Sequence, residues 1–272
     1  VTTAADYQAI AASLPLAPDG RHHVVGMSGG KDSCALALRL RELHPETPFV
    51  WFCTPTGDEL PEMLAHWERI EGLLGSPLVR VTNGTLDSWI KHFRALPSSR
   101  MRWCTRLLKI EPCLTLMRLL TDPVLYVGLR ADEEERQGIY STEVETRFPL
   151  REWGWGLAEV WGYIKERGVV IPTRTDCARC YDQRLGEWQA LYREHPDIYA
   201  TAEAQEEWVS AEREAPIAFR SRTRDTWPAG LRELREKWEA GHWLQGEAQR
   251  RQGSLFVVDE ERGEQACRVC KL

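Results

Sequence analysis

The sequence predicts an α/β fold: a doubly wound, mostly parallel sheet followed by a helical, cysteine-bearing C-terminal extension. Three observations predict it. Residues 22–43 read as a short β-branched strand, a glycine turn and then an apolar-periodic helix. Short apolar runs and amphipathic stretches then alternate to about residue 170, as parallel strands joined by helices should. After Pro172 the composition shifts to helix formers, tryptophan and paired cysteines. Residues 1–172 are therefore read as an α/β domain, and 173–272 as a helical region with two Cys-x-x-Cys pairs.

Residues 4–14 form an amphipathic lead-in helix that stops before Pro15 and Pro18. Val24 and Val25 belong to the first strand, which ends at Ser28, Gly29 and Gly30; Lys31, Asp32 and Ser33 then open the helix. Such a strand–turn–helix junction aims backbone N–H groups and a helix N-terminus at an anion. Adjacent glycines let the backbone approach closely, Lys31 adds a point charge and Ser33 a hydroxyl. The plain alternative is a turn that only connects strand to helix. A kinase-type P-loop needs glycine four residues ahead of Gly-Lys-Ser/Thr, and here Val25 stands upstream and Asp32 follows the lysine. The dinucleotide fingerprint fails too, because its spacing from Gly26 falls on Ser28 and Lys31.

Pro48–Cys53 is a buried second strand, running into the polar loop Thr54–Glu59 at what would be the sheet's carboxyl edge. Asp58 in that loop is a ligand-site candidate; with Glu59 and Pro61 it also reads as a helix start. Leu78–Val81 is a third strand and Leu86–Leu96 a helix. Arg102, Arg106 and Lys109 follow at helical spacing, so a regular helix would show three cations on one face, suited to phosphate or to solvent. Cys104 lies among them, where a thiolate is favoured; it reads as a sulfur carrier, a metal ligand or a half-buried thiol.

Val124–Leu129 is a fourth strand with Arg130 at its tip, placed to pair with a phosphate. Asp132 and Glu133 would hold magnesium or begin an acidic helix. Trp153, Trp155, Trp161 and Tyr163, on a lead-in and helix reaching about Gly168, read as packing rather than base stacking. In the tail, Glu203–Ala211 and Gly230–Gln252 read as helices. Arg220, Arg222 and Arg224, near Trp227, form a basic loop open to nucleic acid or to solvent. Cys177, Cys180, Cys267 and Cys270 supply four thiolates, enough for a tetrahedral zinc site or a [4Fe-4S] cluster, with Cys104 a rival fourth ligand. Redox-active dithiols are the alternative. Cys34, Cys53 and Cys113 fall in core positions.

Of the 272 residues, 43% are hydrophobic and 28% charged, an ordinary globular balance. The net charge of −6 argues against coating nucleic acid by bulk electrostatics, though a local basic cleft is compatible with it. No apolar run approaches the ~18–20 residues that span a bilayer. The first residues lack the plan of a signal peptide. Eight cysteines then suggest a reducing compartment, so a cytoplasmic protein without membrane attachment is expected.

Ser28-Gly-Gly-Lys-Asp-Ser33 carries the full Ser-Gly-Gly-x-Asp-Ser signature and resembles the PP-loop ATP pyrophosphatases of the adenine nucleotide α-hydrolase-like superfamily. Arg102-x-Cys104-Thr-x-x-x-Lys109, Gly128-x-Arg130-x-x-Glu133 and Pro149-Leu-x-x-Trp153 resemble the phosphoadenylylsulfate-reductase-like branch. The resemblance covers about residues 20–190. It implies ATP and Mg2+ held by Ser28, Gly29, Gly30, Lys31, Asp32, Ser33, Asp58, Arg102, Lys109, Arg130 and Glu133. Lys31, Asp32, Arg130 and Cys104 would carry the chemistry. Gripping the β- and γ-phosphates favours attack at the α-phosphorus and release of pyrophosphate. The adenylated oxygen then leaves when sulfur attacks.

With the cysteine-rich elements, this implies an iron–sulfur cluster ahead of zinc and sulfur insertion into nucleic acid. The branch includes the ATP pyrophosphatases of DNA phosphorothioation, so DNA is the favoured acceptor, a cysteine desulfurase the sulfur donor, and other modification-complex subunits partners. Thiolation of a tRNA base is the alternative acceptor chemistry. Reduction of phosphoadenylylsulfate goes with a degenerate loop and a terminal Glu-Cys-Gly-x-His, whereas this chain has a complete loop and ends Cys-Arg-Val-Cys-Lys-Leu. A non-catalytic scaffold would be expected to have lost Lys31, Asp32 or Ser33.

Overall fold

The computed structural model describes residues 1–133, 143–223 and 225–244. Five strands form one parallel sheet in the order β3-β2-β1-β4-β5: β1 (His23–Gly26), β2 (Val50–Cys53), β3 (Val79–Arg80), β4 (Val124–Tyr126) and β5 (Glu145–Arg147). Central β1 sets the register, with Val24 opposite Val50 on one side and Leu125 on the other. The strand order reverses at β1, which places the expected crevice above its carboxyl end.

Successive strand residues face opposite layers, so each central strand is apolar on both faces. Val25, Trp51, Cys53 and Tyr126 pack beneath α2 (Lys31–Leu43), α3 (Pro61–Leu74) and α8 (Leu157–Glu166). Val24, Val50, Phe52 and Leu125 meet Tyr7 of α1 (Ala4–Ser13) and Cys113, Leu116 and Met117 of α6 (Glu111–Met117). Trp153, Trp155, Trp161 and Tyr163 join the first layer, as packing predicts. Cys34, Cys53 and Cys113 are buried in the core.

A third apolar cluster is built by α4 (Leu86–Phe93) with α9 (Leu185–Glu194), α10 (Pro196–Arg213) and α11 (Leu231–Glu239). Trp188, Tyr199 and Trp238 lie at its centre. Glu206 organises the connection between α10 and α11, its carboxylate accepting from Phe219 N at 2.8 Å and Leu231 N at 2.7 Å.

Three expectations change. β5 carries Glu-Thr-Arg and so lacks the apolar alternation that betrays a strand; it sits at the sheet edge, where polar side chains are tolerated. Residues 103–117 are not one regular helix. After α5 (Trp103–Thr105) the backbone widens into a π-turn over Arg106–Ile110, with Glu111 N donating to Arg106 O, before α6 begins. Pro112 explains it: the ring has no N–H to give and crowds the carbonyl four residues back, so the preceding turn opens. α11 ends at Glu239, and residues 245–252 of the longer helix expected there lie outside the described residues. So do Arg224, Cys267 and Cys270. Among the described residues, no helix is long and apolar enough to cross a membrane.

Removing one of the buried tryptophans of the third cluster tests its weight. Trp188→Ala should lower unfolding free energy by about 3–5 kcal/mol, read from urea denaturation.

Candidate active site

The turn after β1 is closed by its own serines. Gly29 N donates to Ser33 Oγ at 3.1 Å, Gly30 N to Ser28 Oγ at 3.2 Å, and Ser33 Oγ to Gly30 O at 3.0 Å. Gly29 has φ +80°, and a Cβ there would fall 2.0 Å from Met63 Cε and 2.7 Å from Trp67 Nε1. Only glycine fits beneath α3 at this point. The first turn of α2, whose amides have no carbonyl ahead of them in the helix, opens on the same side.

His66 of α3 braces the turn from behind, a residue that nothing in the sequence singled out. Its Nε2 lies 3.0 Å from Gly29 O and 3.6 Å from Cys34 Sγ. Burial, reinforced by Arg69, drives the imidazole pKa down to about 4. It is neutral at pH 7 and donates to the carbonyl.

The charged centre is a buried carboxylate between two cations. Asp32 Oδ2 accepts from Lys31 Nζ at 3.3 Å, and Arg130 Nη1 reaches both Asp32 oxygens at 3.1 Å. All three side chains are buried. Burial weighs against the Arg130 charge, yet Asp32 and then Glu133 outweigh it and hold the guanidinium above its ordinary pKa. The loop carrying Arg130 closes on itself: Arg130 N donates to Glu133 Oε2 at 3.3 Å, and Arg130 Nε to Asp132 Oδ1 at 2.8 Å. Arg151 supports it from α7 (Pro149–Glu152), through Arg130 O at 3.3 Å. Lys31, Asp32, Ser33, Arg130 and Glu133 are thus brought together at the carboxyl ends of β1 and β4. Here Arg130 grips a carboxylate.

A second centre lies beside the first. Cys104 and Cys177 pack against Cys180 and Tyr181, around a cavity also lined by Thr56, Lys109 and Asp176. Thr175 joins the two centres, its Oγ1 only 3.4 Å from where a Cβ on Gly30 would stand. Of the four cysteines expected as metal ligands, Cys177 and Cys180 are present here, and the described thiol beside them is the rival, Cys104. The fold brings α5 and the Cys177 loop together although they are far apart in sequence.

Asp58 is a latch beneath this loop. Its carboxylate accepts from Arg179 N at 2.8 Å and Arg179 Nε at 2.6 Å, and its carbonyl from Ala178 N at 2.6 Å. Arg179 Nη1 continues to Asp87 Oδ1 at 2.8 Å and Gln205 Oε1 at 2.9 Å. The side chain expected to face nucleotide is engaged in holding the cysteine loop to β2.

Three electrostatic expectations are revised. Cys104 was expected to favour a thiolate, but burial pushes its pKa up more than Lys109 and Arg102 pull it down. Burial likewise pushes the Cys177 thiol up to about 12. The three cations of 102–109 do not share one face, since the π-turn breaks the helical spacing: Lys109 lines the thiol cavity while Arg106 is exposed near Glu111. In the basic loop of the tail, Arg220 is buried and paired with Asp225 at 2.7 Å, which removes it as a nucleic-acid contact.

Two measurements check this geometry. At Gly128 a Cβ would lie 3.0 Å from the Asp32 carbonyl carbon and 3.1 Å from Ser33 N, both backbone, so Gly128→Ala should cost about 1–3 kcal/mol in urea unfolding. For His66 the folded pKa lies below the unfolded value, so the unfolded state binds more protons between about pH 4 and pH 6.5. Stability should therefore fall as pH drops through that window, and His66→Gln should flatten the slope measured by urea titrations at several pH values.

Comparison with known proteins bears on the same region. In fold, the chain is similar to a phosphoadenylyl-sulfate (PAPS) reductase from Candida auris in its phosphate complex, with a TM-score of 0.45 and 16% identity over 61% of this chain and 81% of that one. It is also similar to the U34-tRNA thiolase NcsA from Methanococcus maripaludis with its [4Fe-4S] cluster, with a TM-score of 0.44 and 17% identity over 76% of this chain and 79% of that one. No curated protein matches. Residues 22–173, which span the sheet, the Ser28–Ser33 turn and the Arg130 loop, match the phosphoadenosine phosphosulfate reductase domain, and the chain belongs to that family.

Proposed function

We propose that this chain is an ATP pyrophosphatase that transfers AMP to an acceptor oxygen, releasing pyrophosphate, so that sulfur can be inserted into nucleic acid, with the DNA backbone as acceptor. The observation that carries the reading is the complete phosphate turn, with Lys31 and Arg130 converging at its rim and three thiols one loop away.

The chemistry follows from what these side chains can do. The turn amides, the α2 N-terminus and Lys31 would hold the β- and γ-phosphates as a unit. Arg130, freed from Asp32 by a competing phosphate, would pair with the charge that develops as the α–β bridging bond breaks. The acceptor oxygen attacks the α-phosphorus, pyrophosphate departs, and a sulfur nucleophile then expels AMP. Asp132 or Glu133 would hold Mg2+, which supplies charge neutralisation between phosphates when bound.

The thiol centre suits a soft metal in donor chemistry, since Cys104, Cys177 and Cys180 share one cavity. Its spacing is looser: among the described residues, no three cysteine, histidine or carboxylate groups stand close enough to grip one ion. The cavity measures about 20 Å3, room for a guest the size of a water molecule, so a [4Fe-4S] cluster would need these side chains to part. Those three residues, with Cys267 or Cys270, would hold the cluster or zinc, and the group would supply a soft site for sulfur. Binding would displace the thiol protons that burial retains. A cysteine desulfurase would be the sulfur source.

The family match keeps one other reading in view, reduction of phosphoadenylyl sulfate; tRNA base thiolation shares the ATP step. Purified chain with ATP and Mg2+ should yield AMP and pyrophosphate, and DNA should stimulate it more than tRNA. ADP and orthophosphate, or consumption of phosphoadenylyl sulfate without ATP cleavage, would overturn the proposal. Lys31→Ala should lower kcat roughly 100- to 1,000-fold. Cys104→Ser, Cys177→Ser and Cys180→Ser should keep pyrophosphate release, while iron, sulfide or zinc content and sulfur transfer fall.

A further inference from the structure

Residues 88–110 carry six Lys or Arg residues and no Asp or Glu, in a chain whose net charge is −6. In the structure its exposed cations lie on α4, on the turn that follows it and at the π-turn. Lys91 and His92 stand exposed on the last turn of α4. Arg94 caps that helix in the left-handed region, at φ 49°, and is well exposed although paired with Glu212. A tight turn closed by Ser98 and Met101, which exchange backbone hydrogen bonds at 3.2 Å and 3.1 Å, projects Arg100 into solvent. Arg106 is exposed as well, with Glu111 at 3.6 Å.

Aromatic rings interleave with these cations. Trp89 stacks on Phe93, with centroids 5.4 Å apart and planes at 22°. His92 meets both edge-on, at 5.3 Å and 4.9 Å, and Phe93 continues to Trp103 at 5.4 Å. None of the four is fully buried. The same segment reaches the thiol cavity, whose wall includes Pro97, Cys104, Thr105, Leu108 and Lys109.

Cations that follow a backbone, alternating with rings that receive bases, are the elements of single-strand recognition. A duplex keeps its base faces stacked inside and has no use for the rings. We propose that this face binds a single-stranded polynucleotide and leads it to the cavity of Cys104, Cys177 and Cys180. The destination rests on the sulfur-transfer reading; the binding does not.

The test uses the purified full chain and a fluorescent 20-nucleotide single strand of DNA, with its duplex as comparison, followed by anisotropy over a salt series. The single strand should bind at least ten-fold more tightly than the duplex. Lys91→Glu with Arg100→Glu should weaken it ten-fold or more and make the plot of log K against log salt shallower by about 1–2. His92→Ala should weaken it roughly five-fold. Melting temperatures check folding, and Lys91→Gln with Arg100→Gln serves if charge reversal unfolds the chain. Equal binding of duplex, no binding at low salt, or a folded double variant that binds like the wild type would overturn the proposal. Pyrophosphate release from ATP, measured without oligonucleotide, separates the two readings. Normal release without strand binding defeats the face alone; cation-dependent strand binding without release supports the face and defeats the ATP reading.

Discussion

The site depends on one buried carboxylate. Asp32 sits at the first turn of α2 with Lys31 on one side and Arg130 on the other. Two like charges so close together in a water-poor place would repel; the carboxylate makes their approach favourable and aims both at the same opening. It also ties the helix after β1 to the loop after β4, so the crevice at the reversal of strand order keeps its width. Gly128 makes this possible by letting the β4 loop lie against the α2 backbone.

A second ion pair does for the thiols what the first does for the phosphate turn. Arg179 joins Asp58 after β2 to Asp87 of α4, and Gln205 of α10 shares the contact. The Cys177–Cys180 loop is therefore fixed by the sheet and by the helical tail together. Thr175 lies against Gly30, so the Ser28–Ser33 turn and the thiol cavity are neighbours. The tail is part of the site's architecture, since its apolar cluster includes Leu86, Ile90 and Leu108 from the first half of the chain.

Much of this was legible in the sequence because local chemistry dictated it. A strand buried on both faces must be apolar throughout, and β1, β2 and β4 were readable for that reason; Glu-Thr-Arg at the edge was not. Ser28–Ser33 announced its turn because glycine, serine and lysine at that spacing have few other uses. Arg130 was found by its place at a strand tip, although the structure engages it with Asp32. What stayed hidden depends on chain segments distant in sequence. The neutral His66 behind Gly29 and the latch role of Asp58 each need the fold to be known, whereas Cys104 was already legible as a rival ligand beside Cys177 and Cys180. The shared cationic face predicted for Arg102, Arg106 and Lys109 failed because Pro112 widens the preceding turn, and a heptad-style reading assumes uniform pitch.

The span of the Asp32–Arg130 pair has a consequence for synthesis. Its partners are 98 residues apart, and those of the Asp58–Arg179 pair 121. On the ribosome, the phosphate turn is made long before either arginine emerges, and its carboxylate must wait in water, unburied. Closure of such long loops is slow, and the centre of the sheet can consolidate only when the later segments arrive. A truncated translation product would leave the turn without its second cation, with Asp32 paired to Lys31 alone.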